Sequence, residues 1–476
     1  MIRGSSCTTI LVGKKATIDG STMIARNDDT HYAITPQKFI IRPARKNDPG
    51  KVLKSWLNGF RMELPANAQA VPAVPNVDYR HRGYYDESGI NEQNVCMSCT
   101  ESTYGNPSSL AYDPYVKDGL DEDCMQTAVL PYISSAREGI SYLGELIKRY
   151  GSAAGNSVLF ADAHEVWYME IGSGHHWVAE RIPDDCYAVA ANRISIGEVN
   201  FDDPEHFMWS DGIQEHVERH HLNPDHAGWN YAHIFGTATE EDRHYNTSRV
   251  WYAQKYLNPE IEQDPEDCDL PFIRKASRLI TREDIQFILG SHYEETEFDP
   301  LGTGDEQARK RYRPIGVNRT NNAHILQLLP IASPERAAIM WLCLGGPSFT
   351  PFIPFFTHVK DTDPSFSHTS MQYNARHAWW YYKQLAVMVE SHYPQFTRPN
   401  RDYLHDLNTE LRARVEDIIA RSAALEGDEL MCYLTRENQK TVRMVRDASE
   451  KHMGEMLKKS IEMSKLGYNI EGYFGA

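Results

Sequence analysis

Cys7-Thr-Thr-Ile-Leu-Val12, Gly13-Lys-Lys-Ala-Thr-Ile-Asp-Gly20 and Ser21-Thr-Met-Ile-Ala-Arg-Asn-Asp-Asp29 follow one another near the head of the chain. The outer pieces carry β-branched and apolar residues, and the middle one has a glycine at each end and an Asp-Gly turn signal. That pattern predicts an antiparallel hairpin. With 13–20 as the connection, Val12 faces Ser21 and Cys7 faces Arg26, within about two residues of register. The hairpin therefore sets a thiol near a guanidinium and two carboxylates, Asp28 and Asp29.

Beyond the hairpin, residues 64–77 read as irregular and 91–98 as a strand. Residues 122–150 carry apolar residues at helical spacing, as two helices broken near Pro131. Short strand-like runs follow at 157–161, 166–171, 176–180 and 187–191, punctuated by Gly, Asp and Pro as in a meander. Residues 246–256 and 284–289 read as helical, and 323–329 with 338–344 as a strand pair. From about residue 374 the character changes. Residues 375–390, 403–424 and 435–463 are charged and amphipathic with almost no Gly or Pro, which predicts a helical segment packed on a mixed body.

The chain has 476 residues, 41% of them hydrophobic and 11% aromatic, enough for a sizeable core. No run approaches the ~18 apolar residues of a membrane span. The six residues before Cys7 are too few for the apolar core of a secretion signal. A cytoplasmic enzyme is expected, with no membrane partner. The net charge of −17 disfavours nucleic acid, since phosphate binding rests on clustered Lys and Arg. The one dense basic run, 309–313, holds Tyr312 and reads as a solvated turn. Eight scattered cysteines do not form a disulfide framework, so reduced thiols are expected.

Four pieces carry the chemistry: Cys7-Thr-Thr, Arg26-Asn-Asp-Asp29, Val189-Ala-Ala-Asn192 and Thr247-Ser-Arg249. Each alone has a plain explanation. A cysteine near an amino terminus is commonly a buried thiol, Arg26 beside Asp28 and Asp29 a surface ion pair, Asn192 a turn residue. Only their combination points to a site.

That combination closely resembles the cysteine dipeptidase family of N-terminal nucleophile (Ntn) hydrolases, with secernins nearer and bile-salt hydrolases and penicillin V acylases more distant. The likeness continues through Gly89-Ile-Asn-Glu-Gln-Asn-Val95, Ser98-Cys-Thr-Glu101, Asp162-Ala-His-Glu-Val-Trp-Tyr-Met-Glu170, Gly345-Gly-Pro347, Pro351-Phe-Ile-Pro354 and Ala378-Trp-Trp380. It weakens after about residue 400. The resemblance implies an α+β fold: a four-layer αββα sandwich of two antiparallel sheets with a helical C-terminal extension. It implies a leader at 1–6, a peptidase domain at 7–370 and the helical segment at 371–476. Cys7 resembles the nucleophile freed as amino terminus, and Arg26 and Asp29 the pair flanking its thiol and amine. Asn192 matches the oxyanion-stabilising residue and Arg249 a second active-site arginine. Glu101 stands where acylase relatives have Asn. A homo-oligomer is implied, and neither metal nor cofactor.

The chemistry is self-consistent. The thiolate is the reactive form, and a guanidinium favours it. A free α-amine, with an ordinary pKa of about 8, exchanges a proton near neutrality without a histidine. Asp29 is expected to hold that amine, Glu101 and Asp28 to bind the amine of a small peptide substrate, and Arg249 its carboxylate. Two rivals keep the fold: an amidase or acylase for N-acyl amines, and a non-catalytic secernin-like protein. Twenty histidines invite a metallopeptidase, with His175-His176, His220-His221 and His164/Glu165 as the places to look, but none forms a His-Glu-x-x-His motif. Cys96-Met-Ser-Cys99 has the spacing of a zinc or redox pair but no second pair, and reads as buried strand.

Overall fold

The computed structural model describes residues 6–101, 103–464 and 466. The hairpin opens the chain: β1 (Thr8–Val12) pairs antiparallel with β2 (Thr22–Asp29). Its register is two residues from the expectation, since Val12 lies opposite Met23 and Thr9 opposite Arg26. The cause is the connection, which docks sideways instead of closing tightly. Gly13 N–H donates to Cys186 O and Lys15 N–H to Asp184 O. A Cβ at Gly13 would stand 2.5 Å from the Pro183 and Asp184 carbonyl oxygens, so only glycine permits that approach.

The chain then lays down β3 (Ser88–Ile90), β4 (Cys96–Glu101), helices α1 (Glu122–Val129) and α2 (Ala136–Tyr150), and β5 (Asn156–Ala161). Next come β6 (Val166–Ile171), β7 (Trp177–Ile182), β8 (Tyr187–Ala190), β9 (Phe207–Trp209), α3 (Ser248–Leu257), β10 (Ile273–Arg274) and α4 (Arg282–Gly290). β11 (Thr320–Leu328), β12 (Ala338–Leu344) and β13 (Ile353–Phe356) complete the strands that matter here. Two antiparallel sheets result, ordered β10-β8-β1-β2-β11-β12-β13 and β9-β7-β6-β5-β4-β3. The expected meander holds for β5, β6 and β7 only. β8 crosses to the other sheet and pairs with β1, which carries Asn192 to the Cys7 end of the hairpin. The strand expected at 91–98 begins only at Cys96, because Asn94 is left-handed (φ 56°) and Asn91 Oδ1 caps the turn by accepting from Gln93 and Val95 N–H.

The two sheets pack face to face, β2 against β4, β5 and β6. Alternation along each strand divides the core. In β5, Leu159 and Ala161 face the hairpin sheet, whereas Val158 and Phe160 join Met125 of α1 and Ile140 and Leu143 of α2 on the far side. β1 and β2 are buried throughout, covered on both faces. α1 lies on β4, and α2 on β5 and β6; α4 packs on β2 and β11.

Three long helices end the chain: α5 (Ala378–Ser391), α6 (Tyr393–Arg421) and α7 (Gly427–Glu462). α6 starts some way before the expected 403, with Pro394 in its first turn, where the missing N–H costs nothing, and Pro399 inside it. α5 packs on β12, and α6 and α7 on β13, so Leu385, Leu411 and Val445 share one core with Ile10. Among the described residues no helix is long and apolar enough to cross a membrane.

Candidate active site

Cys7 sits just before β1, 2% exposed. Pleating puts Thr9 and its partner Arg26 on one face of the sheet, with Cys7 two residues before Thr9 on the same face. Arg26 Nη1 donates to Cys7 Sγ at 3.0 Å and to Glu122 Oε1 at 3.2 Å. Its Nη2 pairs with Glu87, and its Nε donates to Ser98 Oγ at 3.1 Å. The Ser98 hydroxyl lies 2.9 Å from His324 Nε2, and burial together with Arg26 holds that imidazole neutral, its pKa well below the usual histidine value. A buried guanidinium is thus fixed on three sides and touches the sulfur on the fourth.

The backbone nitrogen of Cys7 has a separate partner. It donates to Asn192 Oδ1 at 3.0 Å, and the same oxygen accepts from Arg249 Nη2 at 2.7 Å. Two donors on one oxygen fix the orientation of the amide and make Nδ2 its donor end. Arg249, on the first turn of α3, is fully engaged. Its Nη1 donates to Cys7 O at 2.6 Å and Thr8 Oγ1 at 2.9 Å, its Nη2 also to Asn246 Oδ1 at 2.7 Å, and its Nε to Tyr245 O at 2.8 Å. All five guanidinium N–H groups are spent on the protein. Arg249 therefore positions Cys7 and Asn192 and has no donor left for the substrate carboxylate that the sequence assigned to it. A π-helical turn, Arg243–Thr247, precedes α3 and brings Asn246 and Arg249 to the same site.

Asp29 also departs from expectation. Its side chain pairs with Arg313 and accepts from Thr320 Oγ1, and among the described residues its backbone oxygen takes Ser6 N–H at 2.8 Å. It reaches the head of the chain through Arg313 Nη2, which donates to Ser6 Oγ at 2.9 Å. The reading of 309–313 as a solvated turn holds for Lys310 and Arg311 but fails at Arg313, whose side chain is 8% exposed. Asp28 is 4% exposed, and its Oδ2 accepts from Gln37 Nε2 at 2.7 Å and Asn322 Nδ2 at 3.2 Å. Burial raises its pKa above the ordinary carboxylate value. Glu101 ends β4 opposite Asn156; its side chain lies outside the described residues, as do residues 1–5 of the expected leader. Beside Arg26 opens a pocket of ≈ 290 Å³ whose lining includes Asp28, Glu87 and Glu122.

Electrostatics at the sulfur run against the simplest expectation. Burial pushes the Cys7 thiol up to about 12; Arg26 opposes this, while Glu122, Asp28 and Asp29 add to it. In the chain as it stands, with a peptide bond on the Cys7 nitrogen, the sulfur is protonated near neutral pH.

Glu87, Glu122, Arg313, His324 and Asn246 were not singled out from the sequence. Only Asn246 left a signal, standing directly before Thr247-Ser-Arg249. Among the described residues no group of three or more His, Cys, Asp or Glu side chains is placed to hold a metal, and two of the marked histidines have protein partners. His175 Nδ1 lies 2.7 Å from Asp113 and His176 Nδ1 3.0 Å from Ser210 Oγ.

A cysteine held by its sulfur to an arginine and by its nitrogen to an asparagine describes a cysteine hydrolase. Known proteins agree. The chain is 46% identical over 468 residues to a probable dipeptidase of Latilactobacillus sakei, covering 98% of each. It is 40% identical over 474 residues to probable dipeptidase B of Lactococcus lactis subsp. lactis, again 98% of each. Dipeptidase A of Lactobacillus helveticus is 35% identical over 484 residues, 98% of this chain and 100% of its own. The family model of peptidase family C69 matches residues 6–406, and the chain belongs to that family. It is a cysteine-type peptidase acting on peptide substrates.

Proposed function

We propose that the protein is a dipeptidase of the N-terminal nucleophile type, with Cys7 as nucleophile once residues 1–6 have been removed. The observation that carries this reading is that the sulfur and the nitrogen of one residue are held by two different buried side chains, Arg26 and Asn192. Such an arrangement suits a residue whose nitrogen also works. Once freed, that nitrogen is an amine kept in place by Asn192 Oδ1, able to take the thiol proton that burial otherwise retains. The thiolate attacks the scissile carbonyl, the Asn192 amide stabilises the oxyanion, and the amine returns the proton to the leaving group. Water then releases the acyl-enzyme by the same route. Asp29 contributes through Arg313, and Arg249 by fixing the Cys7 carbonyl and the Asn192 amide.

On this reading the two packed sheets with α1 and α2 on one side and α4 to α7 on the other form the four-layer αββα sandwich. Residues 7–370 are the peptidase body and 371–476 its C-terminal segment, helical as far as Glu462, with 465 and 467–476 outside the described residues; the protein is cytoplasmic and self-associating. Leu457 and Ile461 of α7 are 55% and 66% exposed, which suits a homo-oligomer. Neither nucleic acid nor membrane is a partner.

The pocket lined by Asp28, Glu87 and Glu122 is the subsite for the peptide's α-ammonium, with Glu87 and Glu122 in place of an assignment to Asp28 and Glu101 alone. A panel of dipeptides and their N-acetylated forms tests this. Acetylation removes the charge and is expected to lower kcat/KM by at least about 100-fold, the worth of one or two charge-assisted hydrogen bonds. Equal turnover of blocked and unblocked peptides would instead identify an amidase or acylase.

A further inference from the structure

Arg26 brings one positive charge to a site that holds several acidic groups. One nitrogen, Nη1, bonds both Cys7 Sγ and Glu122, while Nη2 is taken by Glu87. Asp28, two residues along the same strand, shares that face. All three carboxylates also line one pocket, which reaches the sulfur only through Arg26. The positive charge that would favour a thiolate is divided with the groups that disfavour one.

From this arrangement we infer that the α-ammonium of the bound peptide helps to activate Cys7. Seated in that pocket, it neutralises the field of Glu122 and Asp28, the pocket carboxylates that raise the Cys7 thiol, and leaves more of the Arg26 charge to the sulfur. Binding and activation are then one event, and the Cys7 proton passes to the residue's own amine. The inference rests on reading the pocket as the ammonium subsite and adds to it a role in kcat. The basic groups that line the pocket are engaged or neutral: Arg82 donates to Ile34 O and Thr35 Oγ1, His81 Nδ1 lies 2.8 Å from Asp78, and burial with Arg319 holds the His31 pKa below the usual histidine value. Asp29 is paired with Arg313, Arg249 is directed at the Cys7 carbonyl and Asn192, and His324 behind Ser98 is neutral. An amine-free ligand fills the pocket without changing the charge at the sulfur.

The test uses the matured enzyme and L-alaninol, an amine with a side chain but no carbonyl to cleave. Calorimetry first shows whether alaninol binds. The thiolate absorbance near 240 nm is then titrated against pH, with Cys7→Ser as the blank for the remaining cysteines. Saturating alaninol is expected to move the Cys7 midpoint down by about one unit, a tenfold gain in thiolate below it, and N-acetylalaninol to leave it unmoved. Glu122→Gln is expected to lower the midpoint without any amine and to blunt the response to alaninol. If alaninol binds and neither it nor Glu122→Gln shifts the midpoint, the activating role is wrong while the subsite stands. If alaninol does not bind at all, the subsite itself is misassigned and both readings fall.

Discussion

Cys7→Ala is expected to lower kcat/KM for dipeptides by at least about 10⁴-fold, the scale on which loss of a nucleophile acts, while the protein stays folded. The substitution removes one sulfur from a site where Arg26 keeps its contacts with Glu87, Glu122 and Ser98. The backbone nitrogen keeps Asn192 and the carbonyl keeps Arg249. Steady-state turnover of a dipeptide alongside thermal unfolding separates the two effects. Turnover equal to wild type across the panel would leave a non-catalytic, secernin-like role as the reading. Cys7→Ser is less decisive, since a hydroxyl nucleophile retains some activity.

Arg26→Met carries the second large effect, on stability as well as activity. The side chain is fully buried, and its removal takes the paired cation from Glu87 and one partner from Glu122. Breaking a buried pair by removing one partner costs about 3–5 kcal/mol, read here as a lower denaturation midpoint. Adding Glu87→Gln is expected to restore part of it, and a double-mutant cycle gives the coupling. The pH dependence has a definite sign. Burial raises the Glu87 pKa well above its ordinary value even with Arg26 present. A carboxyl whose folded pKa lies above its unfolded one loses stability as pH rises through the folded value. The deficit of Arg26→Met therefore shrinks on acidification, as Glu87 takes up a proton. A deficit that grows towards acid would mean that Arg26 does not hold these groups.

Much of this was legible in local pattern. β1 and β2, β5 to β7, the break at Pro131 and the pair β11–β12 follow from β-branched runs and turn residues, because those signals act within a few residues. The register of the hairpin was not legible, since it depends on Gly13 docking against Pro183 and Asp184, about 170 residues away. The crossing of β8 into the other sheet was hidden for the same reason, as nothing within Tyr187–Ala190 names its partner. In the site, Cys7 and Asn192 stand at strand ends, Arg26 lies within β2 opposite Thr9, and Arg249 is at the head of α3. Glu87 and Glu122 arrive from a left-handed turn (φ 64° at Glu87) and from the first residue of α1. Arg313 looked solvated because a basic run is usually so; its burial comes from Asp29 and Ser6, far away in sequence. Asp29 shows the converse, a residue in the expected place whose carboxylate is turned to a cation that the sequence did not reveal.

The account stands on the Cys7 nitrogen being released. Intact-mass spectra and dipeptide turnover recorded on the same samples, through the course of maturation, test it directly. Activity is predicted to rise in proportion to the fraction of chains that begin at Cys7, with none from chains that retain residues 1–6. Full turnover by a preparation whose mass still includes those six residues would contradict it.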